Sequence, residues 1–411
     1  MEEDAFLIKS KRLQKKARRR KIARIMGIIF LCIIAMSSCL NFSLGNRRSF
    51  FSQNRENAKW IEENGQKYLF LEAKDEFELG RLEGKFLSAK IANLKRIIQM
   101  FGTLNSQYGF SYSDMVQRAK DYEKHIPSEY KEEMRGMHEA ILGVTYDDIL
   151  LQNCFVDILY GQYYPDGEIP PLQTAFEMGC SVLGFKNNDS VIIGQNFDFN
   201  NIFKHTLAFV HHRIVGKQAQ FTLKVGGILS IPCGQNSAGT SIFINVVRSN
   251  MIAPSLMPLA IRSRIGFDTA KNPDEFLEII LSDVSTLSMN LLIGNSTNLI
   301  SLEVLPGNCS ISRPISAVNT NTYTNPHFQR YLLDPNYSKI RQTTAESLLL
   351  NYTTDNYLSQ NDFISIMSNP LIYQINNGIM GVSTLVCTSN KFFCEGIPTI
   401  LENYPQIPLF Y

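Results

Sequence analysis

The sequence has no excess of either charge. Its 40 Lys plus Arg stand against 38 Asp plus Glu, a formal balance of +2, so no global field is present to hold a nucleic acid. It has no Cys-x-x-Cys pair among its eight cysteines, and its six histidines fall into no ligand spacing. That argues against a zinc site and implies no cofactor. No internal repeat is visible, and no apolar run reaches the about 20 residues that a membrane-spanning helix wants. With 411 residues, 44% hydrophobic and 19% charged, the chain is not disordered, collagen-like or a coiled coil as a whole. It has enough apolar side chains for one large domain or two small ones.

The balanced charge hides an asymmetry. Residues 1 to 24 hold ten basic and three acidic side chains, which leaves the remainder with a formal charge of −5. No aromatic residues interleave the basic ones, as a nucleic-acid patch would require. The block is followed at once by the apolar stretch 25 to 40, and the two together read as a positive-inside flank and a membrane segment. Two readings stand. One is a single-pass signal anchor over 25–42, N-terminus cytoplasmic, stretched by snorkelling Arg24 and interfacial Phe42. The other is a cleaved signal peptide with small residues near Ser37 and Ser38. Either places the chain from residue 45 onward outside the cytosol, as a membrane-anchored lumenal or extracytoplasmic protein or as a secreted one. Residues 43–59 read as a linker, and 60–411 as one domain. Sequons at Asn295, Asn336 and Asn351 suit that location. Cys387 and Cys394 could bridge a hairpin there, or be two separate buried thiols.

Periodicity divides the domain. Residues 75 to 160 have a helical pattern, with Leu87, Ile91, Leu94 and Ile98 on one face. Gly80 and Gly84, one turn apart, point to close approach of another backbone, and Pro127 breaks the helical run 113–142. From Cys180 the period becomes strand-like: 181–185 and 190–199 form a hairpin, followed by strands at 207–215, 220–225 and 241–247. Helices are expected at 257–265 and 272–283, the second capped by Asn272 with Pro273 at its first position. Strands follow at 289–294, 299–305 and 309–318, then helices at 338–350 and 360–367 and a closing hairpin at 383–394. Short turns make consecutive strands antiparallel, so the pattern implies an α+β fold of two antiparallel sheets with helices outside.

One constellation carries chemistry. Gly179-Cys180-Ser181 lies where the helical pattern gives way to strands, and Gly194-Gln195-Asn196-Phe197-Asp198-Phe199 lies on the returning strand. A turn near 187–189 would bring residues 180 and 198 to the same end of the hairpin, a thiol beside a carboxylate.

These residues resemble the acyl-coenzyme A:6-aminopenicillanic acid acyltransferase (isopenicillin N acyltransferase) family of Ntn-hydrolases, which carries Gly-Cys-Thr/Ser and then Gly-Gln-Asn-Trp-Asp-Trp; here Phe197 and Phe199 replace the two Trp. Further stretches match in order: Gly234-Gln-Asn-Ser-Ala-Gly239 with Asn245 beyond it, Thr324-Asn325-Pro-His327-Phe328 against Thr-Asn-His-Phe, Ser338-Lys-Ile-Arg341 opening a helix, and Thr384-Leu385. The resemblance spans residues 60 to 405. It implies a four-layer αββα sandwich made as a precursor that cuts its own Gly179–Cys180 bond into an alpha chain (60–179) and a beta chain (180–411).

By the same resemblance Cys180 is the nucleophile, with its freed α-amino group as base, Asp198 orients that amine, and Asn245 and Asn325 donate to the oxyanion. Arg341 supports Asp198 or the substrate, and Gln195, Asn196 and Ser338 are supporting residues. The implied partner is a small N-acyl or acyl-thioester substrate. His327 is left as structural, because the chemistry already has its base. Two other readings stay open: a lumenal N-acyl-lipid amidase like acid ceramidase, and a catalytically silent, membrane-tethered binding protein. The inserted Pro326 is a departure from the family pattern and bears on the geometry around Asn325.

Overall fold

The computed structural model describes residues 57–63, 66–166, 179–334, 336, 338–353, 356–373, 379–388, 391–394 and 406–408. The basic flank and the apolar segment 25–42 lie outside the described residues. Among the described residues, no helix is long and apolar enough to cross a membrane.

In chain order come β1 (Ala58–Glu63), β2 (Gln66–Ala73), α1 (Glu76–Asn105), α2 (Tyr112–Glu123), α3 (Ser128–Ala140) and α4 (Tyr146–Ile158). Then follow β3 (Gly179–Lys186), β4 (Val191–Asn200), β5 (Leu207–Ile214), β6 (Gln220–Val225), β7 (Cys233–Asn236) and β8 (Ser241–Val246). After α5 (Leu259–Thr269) and α6 (Pro273–Ile280) come β9 (Met289–Gly294), β10 (Leu299–Leu305), β11 (Asn308–Ser312) and β12 (Ser316–Asn319). The chain closes with α7 (Pro326–Gln329), α8 (Lys339–Tyr352), α9 (Gln360–Met367), β13 (Ile379–Thr388), β14 (Lys391–Cys394) and β15 (Gln406–Pro408).

Among the described residues the strands form a large sheet of nine, β1-β2-β5-β6-β7-β8-β9-β10-β11, and a small sheet of six, β12-β3-β4-β13-β14-β15. The sheets face each other where β3 meets β8, β9 and β10. Helix α1 packs on β2, β5 and β6, while α8 covers β3 and β12 and α9 covers β4. The chain is therefore a mixed α+β fold. One ladder corrects the expectation of purely antiparallel sheets: β2 pairs β5 in parallel. Their pairing spans four helices and a hairpin, a distance that local turn signals do not report. Strand β1 starts at Ala58, inside the expected linker.

Local rules account for the helices. Asp75 caps α1 by accepting from the Glu78 N–H at 2.8 Å, and Leu87, Ile91, Leu94 and Ile98 are buried along one face. The expected close approach is present: a Cβ on Gly80 would stand 1.9 Å from the Glu133 carbonyl oxygen of α3, and one on Gly84 2.8 Å from that of Met137. Asn272 caps α6 by accepting from the N–H groups of Asp274 and Glu275. The single strand expected at 309–318 is two. Pro314, which has no N–H for a ladder, sits where the chain leaves β11 in the large sheet and enters β12 in the small one.

Between the large sheet and its helices lies a cluster of buried ions. Lys224 of β6 meets Glu83 of α1 at 2.8 Å, and Arg264 of α5 meets Glu133 of α3 and Asp268 at 2.9 Å each. These side chains are almost fully buried, so each charge depends on its partner for the solvation it has lost.

Candidate active site

The β3–β4 hairpin sets Cys180 opposite Phe197 and Gly179 opposite Asp198. Side chains that face each other across a ladder share a face. Cys180 therefore shares the inward face with Phe197 and Gln195, whereas Asp198 is on the same side as Gly179. The sequence reading put thiol and carboxylate in one pocket; the ladder instead turns the two side chains to opposite faces, with the carboxylate beside Gly179. A Cβ at position 179 would stand 3.1 Å from Asp198 Oδ2. Gly179 is not among the positive-φ glycines, so its absent side chain makes room for the carboxylate and does not relieve backbone strain.

Strand β12 stops opposite Val182, and among the described residues the next stretch of β3 has no strand paired to it on that edge. Buried N–H and C=O groups need partners, and side chains supply them. The Cys180 N–H donates to Asn321 Oδ1 at 2.8 Å. Arg341 of α8 donates through Nη1 to the Cys180 carbonyl and, at 3.1 Å, to Ser181 Oγ. Its Nη2 donates to Asn321 Oδ1 at 2.8 Å. Asn321 is itself held by its Nδ2, which donates to the Val246 carbonyl at 2.8 Å. Both peptide groups of Cys180 are thus gripped by an amide oxygen and a guanidinium.

Electrostatics keep the thiol neutral in the intact chain. Burial pushes the Cys180 pKa up, and the Asp198 charge pushes it further; Arg341 and hydrogen bonds from Gln195 and Asn321 act the other way without cancelling the rise. Beside the site is a largely apolar cavity of about 70 Å³, walled by Phe197, Phe203, Val225, Ile231, Ile244 and Val246 among others. Phe197, one of its wall residues, stands directly across the ladder from Cys180.

The other expected site residues fall in different places. Gln195 faces inward and donates to the Ile244 carbonyl at 2.5 Å. Asn196 faces outward and donates to Met367 of α9 at 2.6 Å, which ties the sheet to its helix. Ser338 is buried and accepts from Thr320 Oγ1 at 3.1 Å. Asn245 donates through Nδ2 to the Asn319 carbonyl at 2.9 Å, so one of its two amide hydrogens holds the main chain.

Asn325, the other expected oxyanion donor, forms a helix cap that the sequence reading did not expect. It caps α7, its Oδ1 accepting from the His327 N–H at 2.9 Å, while its own N–H donates to Glu303. Pro326 at the first helical position favours this cap. The residue that reaches Cys180 is Asn321, four positions earlier. The signal for it was the alternation Asn319-Thr-Asn321-Thr just past a strand end, which continues the direction of β12 toward Cys180. Thr384 and Leu385 pair with Asn196 and Gln195 across the β13–β4 ladder. The side chains of Cys387 and Cys394 lie outside the described residues. Among the described residues no group of His, Cys, Asp and Glu is placed to hold a metal ion.

No family model matches the chain. An uncharacterised protein of Archaeoglobus fulgidus is 30% identical to it over 140 residues, which is 31% of this chain and 23% of that relative. The chain thus spans less than a quarter of the length of the curated relative it matches. Among solved structures, a Caenorhabditis elegans N-acylethanolamine-hydrolyzing acid amidase ortholog is similar at a TM-score of 0.41 and 14% identity, over 50% of this chain and 92% of that one. That likeness is too distant to assign chemistry.

Proposed function

We propose that the chain is an autoprocessed, N-terminal-cysteine amidohydrolase or acyltransferase acting on an N-acyl amide or acyl thioester. The observation that carries the reading is the capture of both peptide groups of Cys180 by Asn321 and Arg341, at a residue that follows Gly179 under the Asp198 carboxylate.

In self-cleavage, Cys180 Sγ attacks the Gly179 carbonyl carbon. The C–N bond then breaks as the amide nitrogen takes a proton and leaves as the α-amine of Cys180. Water hydrolyses the resulting thioester to a Gly179 carboxylate and a free thiol. The new amine, with an ordinary pKa of about 7.7–8.0, is a base within reach of its own thiol. In turnover it takes the thiol proton, the thiolate attacks the acyl carbonyl, and the ammonium returns the proton to the leaving amine. A water or an acceptor amine then collects the acyl group from Cys180. Asn321 Oδ1, which accepts from the Cys180 N–H, and the Asp198 carboxylate would hold the ammonium, and the amide of Asn245 would donate to the oxyanion, a role typically worth about 10²–10³ in rate.

The apolar cavity favours a second, narrower reading, a lipid N-acyl amidase, in which Phe197 and Val246 line the acyl chain. The N-terminal basic and apolar segments support an extracytoplasmic, membrane-anchored site, as a further part of the proposal. The test is acyl release from a palmitoyl anilide set against acyl transfer from palmitoyl-coenzyme A to an amine, each repeated with Cys180→Ala. Turnover of either that is lost in the variant supports the reading, and the preferred donor decides between the two forms. No turnover, with an uncleaved wild-type chain, would point to a binding protein.

A further inference from the structure

Asn321 touches the Cys180 nitrogen, yet it lies just beyond the end of β12, where no strand pairing among the described residues holds it. Beside its own side-chain bond to Val246, its main chain is held by a second asparagine that the sequence did not single out. Asn290 sits on β9 in the large sheet, directly across the ladder from Asn245. Its Nδ2 donates to the Thr320 carbonyl at 3.0 Å and also to the Thr322 carbonyl. One amide group thus grips the main chain on both sides of Asn321.

The surrounding contacts repeat the pattern in both directions. Asn245 takes the Asn319 carbonyl at 2.9 Å, while Asn319 Nδ2 donates back to Leu291 at 3.3 Å and Asn321 Nδ2 to Val246 at 2.8 Å. Four buried asparagines therefore stitch the 319–322 segment to the large sheet. Asparagine suits this task because its short amide offers two donors and no charge, so it fixes a backbone without adding a field beside the thiol. Of the four, Asn290 alone holds carbonyls on both sides of Asn321, those of Thr320 and Thr322.

We infer that Asn290 is a positioning residue for the Cys180 site, holding Asn321 at hydrogen-bond distance from the nitrogen that is released at self-cleavage. The inference rests on the self-cleaving reading above. Asn290 does not touch the reacting atoms and acts through Asn321. A shift of about 1 Å in a positioned group can cost about 10² in rate, which sets the scale of the effect.

The test needs no substrate. Full-length precursor is purified and the rate of separation between residues 179 and 180 is followed on denaturing gels for wild type, Asn290→Ala, Asn321→Ala and the double variant. Asn290→Ala should slow separation about 10²-fold, and the double variant should be no more than about threefold slower than Asn321→Ala alone, because the two act in series. Losses that multiply in the double variant, or wild-type separation in Asn290→Ala, would overturn the inference. If the alanine variant does not fold, Asn290→Ser, which keeps one donor, is put through the same cycle with the same two outcomes. A wild-type chain that never separates brings down the self-cleaving reading together with the inference. Wild-type separation with multiplying losses brings down the inference alone.

Discussion

The large sheet has buried polar groups on both faces, and the two faces use different chemistry. Toward the helices they are ions in pairs: Glu83 with Lys224, and Glu133 and Asp268 with Arg264. Toward the small sheet no buried cation pairs with the polar groups among the described residues: Asn245 and Asn290 are neutral amides spent on main-chain carbonyls, and the Glu303 carboxylate beside Asn290 accepts from the N–H groups of Thr324 and Asn325. An ion pair fixes two elements against each other, but removing one partner leaves a bare buried charge. An amide fixes a backbone segment at a smaller cost and leaves the local field to the groups that react. The difference separates a region that holds the fold together from one that holds a cysteine in place.

The largest effect that can test this contrast is on the amide face. Cys180→Ala should leave the chain whole on denaturing gels, where the wild type runs as two pieces; a variant that still separates would remove Cys180 from the chemistry. Asp198→Asn keeps the shape over Gly179 but loses the charge, and should lower turnover at least about tenfold, measured on a palmitoyl anilide. Near-normal rates would take Asp198 out of the mechanism.

On the ionic face the pattern should invert. Lys224→Met strands Glu83 and should lower unfolding stability by about 3–5 kcal/mol in urea titration, while the folded fraction still separates at residue 179 at the wild-type rate. A slowed separation at unchanged stability would erase the distinction between the faces.

The smallest effect concerns Asp157, in the cavity wall. Burial raises its pKa to about 6, against the pull of hydrogen bonds from Thr286 and Leu259 and the charge of Arg262. The folded chain then keeps this proton where the unfolded chain, with an ordinary value of about 3.9, has lost it. The contribution of Asp157 to stability is whole below about pH 4 and falls as the pH rises toward 6. Asp157→Asn cannot ionise, so relative to wild type it should gain stability between pH 4 and 7. Denaturation midpoints that run parallel across that range would contradict the assignment.

Much of this arrangement was legible in the residues themselves. The hairpin, its glycine and cysteine, the Asn272 cap and the paired glycines of α1 follow from local rules of turn, cap and close approach, and the structure keeps them. Arg341 was recognisable from its place at the start of a helix in the family pattern. Asn325 was picked for its amide hydrogens from a motif with an inserted proline, and that motif gave no sign of the helix cap its Oδ1 forms. Asn321 had only the alternation past a strand end to mark it, and Asn290 had no spacing that marked it, since its partners are carbonyls some 30 residues away in the chain. The ion cluster was equally silent, because a lysine or glutamate reads as exposed until the fold supplies its counterion. The parallel β2–β5 ladder failed for the same reason: long-range pairing leaves no local trace.

The central claim is that Cys180 becomes a chain terminus, and intact mass spectrometry of the ripened, active protein tests it most directly. The expected spectrum contains one piece ending at Gly179 and another beginning with Cys180 and a free amine. An active protein in which residues 179 and 180 are still joined would contradict the account.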